Sequence, residues 1–333
     1  MADAGALWTA SYYFDALPDH PPMRWLESYT GYLTRLAEDN DIASVDALTA
    51  QCFPCQDRRI ARGVADFPPL SFGNLPLLAV CSPADLLGTT FHHLGAKFGR
   101  STRPQPLSRF LAGSISASLR YCPLCVRDDG YYSLTWRFLS LPGCVRHGRR
   151  FLDACGHCGR PLPLLTAPLR IGICPMCGHD MRALTAERLG VAEERATISR
   201  FYDLTFLLSP RADERDNDDS ARYVGRRFGL CRRAARLRAS DVAARLGITV
   251  NQIEGIERGS VLTKGASFAA YVAFADLLSL TLRDAFTGVV SEAGARHFFA
   301  LAAETRVIST GSAGFQPAHG RRPAVCARPT ARP

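Results

Sequence analysis

The chain has 333 residues, 47% hydrophobic and 21% charged, with 40 basic and 31 acidic side chains and a net charge of +9. That is enough apolar material for two or three domains, and no run approaches the roughly 18 apolar residues a membrane span needs. Charge is uneven: net −2 over residues 1–118, +5 over 119–189, −4 over 190–220, +6 over 221–289 and +4 over 290–333. Basic blocks of this kind mark a protein that meets phosphates; the bland alternative is a soluble basic surface.

Residues 1–118 read as a helical N-terminal part, with residues 23–50 helical. Trp25, Leu26, Tyr29, Tyr32, Leu33 and Leu36 recur at three- and four-residue spacings, with Arg35, Glu38 and Asp39 off that face. A second helix is expected after Ser44. Short helices punctuated by Pro68, Pro69, Pro76, Pro83 and Pro104 follow, one of them capped by Ser82 or Asp85. Cys52-Phe-Pro-Cys55 with His92 and His93 could form a further zinc or redox pair, but it lacks a second spaced pair.

Residues 119–189 hold four two-residue-spaced pairs: Cys122 with Cys125, Cys144 with His147, Cys155 with Cys158, and Cys174 with Cys177. That spacing lets one tight turn aim two ligands at one ion, so four turns predict two tetrahedral zinc sites, one of three Cys and one His and one of four Cys. Both sets are closed, with no position left for a reactive water, and so read as structural. Disulfides fit less well. The N-terminal stretch, broken by Asp3, Asp15 and Pro18, does not read as a secretory leader, and a reducing compartment keeps thiols free. Sequential pairing is favoured, because each half then forms its own ribbon; an interleaved cross-brace is the alternative. His157 and His179 are spare ligand candidates. Trp136, Phe138 and Leu141 are expected as the local core joining the first two turns. Tyr131 and Tyr132 are either core or base-stacking rings, core being the better fit. Arg127, Arg146, Arg149, Arg150, Arg160 and Arg170 are expected to form a phosphate- or partner-facing rim.

A helix over 186–208 and an acidic linker, Arg211–Ser220, fill residues 190–220. Residues 221–289 then read as a helix-turn-helix unit. Arg222–Arg236 is a basic amphipathic helix. Ser240 caps a helix to Leu246, Gly247 makes the turn, Thr249 caps Val250–Glu257, and Gly259 ends it. Phe268–Leu280 and Thr281–Phe286 close the unit. Residues 290–333 read as a helix and then, from Gly311, a basic tail of disordered composition.

Two resemblances join these parts. Asp241-Val-Ala-Ala-Arg-Leu-Gly247 and Ile253-Glu-Gly-Ile-Glu-Arg-Gly259 resemble the five-helix repressor-type (XRE/Cro-like) domain. That likeness implies base-edge contacts from Val250, Asn251, Gln252 and Gly255, with Arg238, Ser240, Thr249, Arg258 and Lys264 around the phosphates. The alternative is a helix-turn-helix reused for protein docking. The run from Leu119 through Cys122-Pro-Leu-Cys125, Asp128-Asp129, Trp136-Arg137 and Cys144-Val-Arg-His147-Gly148 to Cys155-Gly-His-Cys158 is similar to the TniQ/TnsD family of transposition target-selection proteins. Glu27–Ala37 also resembles that family's opening, with Met23-Arg-Trp-Leu-Glu-Ser28 in place of its usual lead-in.

The resemblance implies a non-catalytic, cytoplasmic, nucleoid-associated prokaryotic adaptor. It would bind DNA or an RNA-guided recognition complex, recruit an AAA+ ATPase regulator, and take two structural zinc ions. A homodimer is compatible with it. The competing reading is a zinc-containing helix-turn-helix transcriptional regulator. No phosphate-binding loop or Gly-x-Ser-x-Gly or His-Glu-x-x-His motif supports an enzyme. The Asp128-Asp129 pair is better read as a solvated turn than as nuclease chemistry. The expected architecture is mainly α with small zinc-ribbon β elements: a helical N-terminal segment, two tandem zinc motifs and a five-helix C-terminal domain.

Overall fold

The computed structural model describes residues 16–42, 44–53, 65–165, 170–210, 220–259 and 266–288. Residues 211–219 of the acidic linker, Lys264 and the tail beyond 288 lie outside them. The architecture is mainly helical with one two-stranded sheet.

Helix α1, Tyr29–Asp39, starts where Ser28 accepts the Gly31 N–H. The Ser28 N–H in turn donates to the Tyr132 carbonyl at 2.8 Å, tying this helix to the cysteine-rich region. The apolar row is shorter than expected. Leu26 turns the chain with φ 56°, so Trp25 precedes the helix and is 62% exposed. Arg35, expected on the wet face, is buried instead, because it grips buried Glu27 through two bonds of 2.9 and 2.7 Å. Helix α2, Val45–Cys52, starts at Ser44 as expected. Together α1, α2, Phe72, Leu75, Leu78 and Leu86 form one core.

Four short helices follow: α3 (Leu75–Leu78), α4 (Pro83–Gly88), α5 (His92–Lys97) and α6 (Pro104–Leu111). The two cap candidates at α4 act together, Ser82 accepting from the Asp85 N–H while Asp85 accepts from the Ser82 N–H. The cysteine-rich region contributes α7 (Pro123–Asp129), β1 (Gly143–Cys144) and β2 (Arg149–Arg150), paired antiparallel with Cys144 opposite Arg149. A Cβ at Gly143 would strike the Arg149 carbonyl, so only glycine lets these strands meet.

Helix α8 is Val191–Leu208, beginning after Gly190 rather than at 186. The last five helices are α9 (Ser220–Ala234), α10 (Ala239–Leu246), α11 (Val250–Glu257), α12 (Phe268–Leu277) and α13 (Leu282–Thr287). Backbone contact sets how closely α9 crosses α11: a Cβ at Gly225 would collide with the Ile256 carbonyl.

This bundle packs directly on the N-terminal helices. One core runs from Phe91, Phe98 and Phe110 through Phe138 and Leu141 to Phe268, Tyr271 and Phe274. Phe138 and Leu141 therefore belong to this inter-region core; of the three residues expected between the first two turns, only Trp136 stays in the cysteine-rich core. Phe98 meets Phe110, Phe268, Tyr271 and Phe286 at centroid distances of 5.3, 5.8, 4.9 and 5.0 Å. Lys97, also buried, donates to the carbonyls of Phe206 (2.7 Å) and Ser209 at the end of α8. Asp203 of α8 accepts the N–H groups of Leu282 (3.1 Å) and Arg283 (2.9 Å) at the start of α13.

Removing the Phe98 ring would leave a cavity where both regions meet. Phe98→Ala is expected to cost about 3–5 kcal/mol in urea unfolding and to expose the helix-turn-helix to proteolysis. A loss near zero would show that the two regions are held together elsewhere.

Candidate metal centres and helix-turn-helix

The four spaced pairs converge in two groups. The ligand atoms of Cys122, Cys125, Cys144 and His147 all lie within 4.8 Å of one another, as do those of Cys155, Cys158, Cys174 and Cys177. This is the sequential arrangement; the interleaved one is excluded.

Local backbone explains the convergence. In three of the four turns a glycine follows the second ligand: Gly148, Gly159 and Gly178, with φ of 58°, 69° and 73°. The N–H of each donates to the carbonyl of the first ligand, Cys144, Cys155 or Cys174, at 2.9, 2.8 and 2.9 Å. A left-handed residue is needed to close such a turn, and glycine takes that conformation without strain. The first pair is built differently. Cys122 occupies the cap position of α7, Pro123 opens the helix, and Cys125 lies in its first turn.

The donor sets fit a tetrahedral ion. Bonds of about 2.3 Å to sulfur give sulfur–sulfur edges of roughly 3.8 Å. Cys155 to Cys177 and Cys158 to Cys174 are both 3.9 Å, and Cys125 to Cys144 is 3.4 Å. His147 Nδ1 lies 3.6, 3.2 and 3.5 Å from the sulfurs of Cys122, Cys125 and Cys144. So close a set of thiols competes for protons: hydrogen bonds from Cys125 and Cys144 push the Cys122 thiol down, while Cys122 and Cys144 push Cys125 up. A cation at the centre removes that conflict, since it holds every sulfur as thiolate. The first set is almost enclosed; in the second, Cys177 is exposed.

Sequence reasoning missed the partner of His147. With Nδ1 turned to the sulfurs, Nε2 faces Asp128 Oδ2 at 3.2 Å, so the Nε2–H donates to that carboxylate. Arg127 (3.1 Å) and Arg146 (3.6 Å) brace Asp128 in turn, and Arg127 holds its carboxyl below the usual range. Asp129 takes two bonds from Arg146 at 2.8 and 2.7 Å. The acidic pair thus orients a ligand and its surroundings. A signal was available, since a carboxylate at the close of the first turn is well placed to meet a histidine in the second.

The expected arginine rim is largely engaged. Besides Arg127 and Arg146, Arg149 donates to the Ala186 carbonyl (2.8 Å) and Arg150 pairs with Glu193. Arg160 and Arg170 are exposed. Tyr132 is buried and accepts the Gly172 N–H; Tyr131 donates to the Trp25 carbonyl. His157 and His179 belong to neither set and stack on each other at 4.5 Å. Cys52, the last residue of α2, is buried; Cys55 lies outside the described residues.

In the helix-turn-helix, Gly247 has φ 64° and Thr249 caps α11 reciprocally with Gln252, both as expected. Ser240 is not the cap of α10. The cap falls two residues earlier, with Arg238 extended at that position and its guanidinium on Asp241 at 3.0 Å, leaving Ser240 exposed in the first turn. Val250, Asn251 and Arg258 are exposed on α11. Gly255, expected at base edges, is buried. Gln252 is half-buried, its Oε1 accepting the Thr249 N–H at 2.8 Å.

Residues 18–151 match the TniQ family model, and residues 224–286 match a model for a helix-turn-helix domain. The chain carries a TniQ domain. Its matched region contains the first tetrad and stops before Cys155, so the second tetrad lies between the two matched regions. No curated protein matches the chain. No helix of the described residues is long and apolar enough to cross a membrane.

Asp128→Ala removes the acceptor that orients His147. It is expected to weaken metal binding at the first tetrad by about 10–100-fold in chelator competition and to leave the second tetrad unchanged. Equal weakening at both would count against this role.

Proposed function

We propose that this protein is a non-catalytic adaptor in transposition target selection, with zinc as the metal of both tetrads. The observation that carries the reading is one chain's combination of a TniQ domain with a helix-turn-helix domain. The TniQ match supports a role in transposition machinery, and the helix-turn-helix match supports a means of meeting DNA.

The chemistry of the donors favours zinc. Thiolate and imidazole in closed tetrahedral sets suit a redox-inert ion whose work is structural. Zinc binding would then be folding free energy, on the order of 10 kcal/mol per site. In this reading Cys122, Cys125, Cys144 and His147 hold one ion and Cys155, Cys158, Cys174 and Cys177 the other. The domains run over residues 1–118, 119–189, 190–220, 221–289 and 290–333.

Helix α11 offers Asn251 to base edges, where an amide can pair with adenine, and Val250 to a thymine methyl. Arg238 and Arg258 serve the phosphates, with Ser240, Thr249, Gln252 and Lys264 alongside. The TniQ side would recruit an AAA+ ATPase regulator and, where targeting is RNA-guided, meet that complex. Transposase chemistry belongs to the partners, and the protein works in the cytoplasm at the nucleoid.

Metal analysis of the purified protein should return two zinc ions per chain; one or none would sink the two-site assignment. The adaptor reading is tested by co-purification with an AAA+ ATPase, sought among the products of the neighbouring genes. Its capture favours the adaptor, whereas sequence-specific operator binding without any such partner favours a transcriptional regulator. Asn251→Ala should weaken duplex binding about tenfold at the preferred sequence only, and Arg258→Ala should weaken it at every sequence. If neither matters, the helix-turn-helix docks protein rather than DNA.

A further inference from the structure

We propose that Glu254 is a specificity-determining residue of the helix-turn-helix, accepting a hydrogen bond from a cytosine amino group in the major groove. This rests on the DNA-reading role given above to α11.

The outward face of α11 is narrow. Ile253, Gly255 and Ile256 are buried, and the Gln252 Oε1 serves the helix cap. Val250, Asn251, Glu254 and Arg258 remain outside, so a carboxylate stands in the middle of the face that would enter the groove. The helix's other carboxylate, Glu257, is only 12% exposed. It takes Arg232 in two bonds, one of them 2.9 Å, and lies 3.8 Å from Arg233. Glu254 has no such enclosure. Its side chain is 51% exposed, and its ion pair is a loose one of 3.7 Å to Arg258, itself 69% exposed. An exposed pair of that kind is weak and does not hold the carboxylate in place.

A carboxylate pressed toward a duplex meets two rows of phosphates and opposes binding at every sequence. Only a donor on a base edge offsets that repulsion. Guanine shows two acceptors in the major groove and thymine shows one. Adenine sets its amino group beside the N7 acceptor, which repels a second carboxylate oxygen. Cytosine presents its amino donor alone. Glu254 therefore admits cytosine and acts against the other three bases.

The test is selection from a randomised duplex pool by the full chain and by two variants, with folding checked by circular dichroism. Both substitutions lie on the surface, away from the core. The unaltered protein should enrich cytosine at one position. Glu254→Ala should lose about tenfold discrimination at that position, keep the remaining preferences, and bind non-specific duplex more tightly. Glu254→Gln should move the preference from cytosine toward adenine. Unchanged preferences in both variants would overturn the proposal while leaving the helix-turn-helix a DNA reader. A uniform fall in affinity for all sequences would also overturn it, since Glu254 would then only orient Arg258. Absence of enrichment by the unaltered protein, with Asn251→Ala silent, would overturn the DNA-reading role itself.

Discussion

The fold is organised around a buried carboxylate. Asp66 is fully enclosed, and both of its oxygens are used. Oδ1 accepts the N–H and the hydroxyl of Thr30 in α1, each at 2.8 Å, and Oδ2 pairs with the buried guanidinium of Arg137. Arg137 also donates to the Ser116 carbonyl through Nε (3.1 Å) and an amino nitrogen (2.8 Å). One node thus joins the opening helix, the segment before Phe67 and the loop leading into the two tetrads. Removing one member of such a pair leaves an uncompensated buried charge, which typically costs about 3–5 kcal/mol. The tetrads shape their own loops, but this pair sets them against the helices, while the Glu27–Arg35 pair fixes the start of α1. Arg120 adds a third tie, donating to the carbonyls of Phe138 (2.6 Å) and Leu141 (2.9 Å).

What was readable beforehand divides by distance along the chain. The ligand turns, the caps Ser44, Ser82 and Thr249, and the left-handed Gly247 are decided within four residues, so residue type and spacing expose them. The buried pairs are not local. Asp66 lies 71 positions from Arg137, and Lys97 lies 109 from Phe206. An arginine or lysine in an amphipathic pattern looks the same whether it faces water or a distant carboxylate, so Arg35 was placed on the wrong side. Ser240 failed for a smaller reason. Arg236, at φ 57°, redirects the chain two residues ahead of the expected cap, so the extended residue that opens the helix is Arg238 and the serine falls inside it. Trp25 failed because Leu26 breaks the helical phase that would have buried it.

The contact between the two matched regions had no sequence signal, since Phe98, Phe110 and Phe286 could equally have closed separate cores. Its consequence is mechanical. A helix-turn-helix on a free tether reports only that DNA is near. Here the aromatic cluster joins the bundle to the TniQ region directly, while the Lys97 clamp on the end of α8 and the Asp203 cap on α13 join the two through that helix. The three differ in kind: apolar packing, a cation on helix-end carbonyls and a carboxylate on helix-start N–H groups. Each resists a different displacement. Rotation would break the ring contacts, and withdrawal would strip Lys97 and Asp203 of their partners. In the function proposed above, a bundle docked this way would carry the direction of a bound duplex as well as its presence. A partner assembled on the TniQ side would then inherit a defined orientation relative to that duplex.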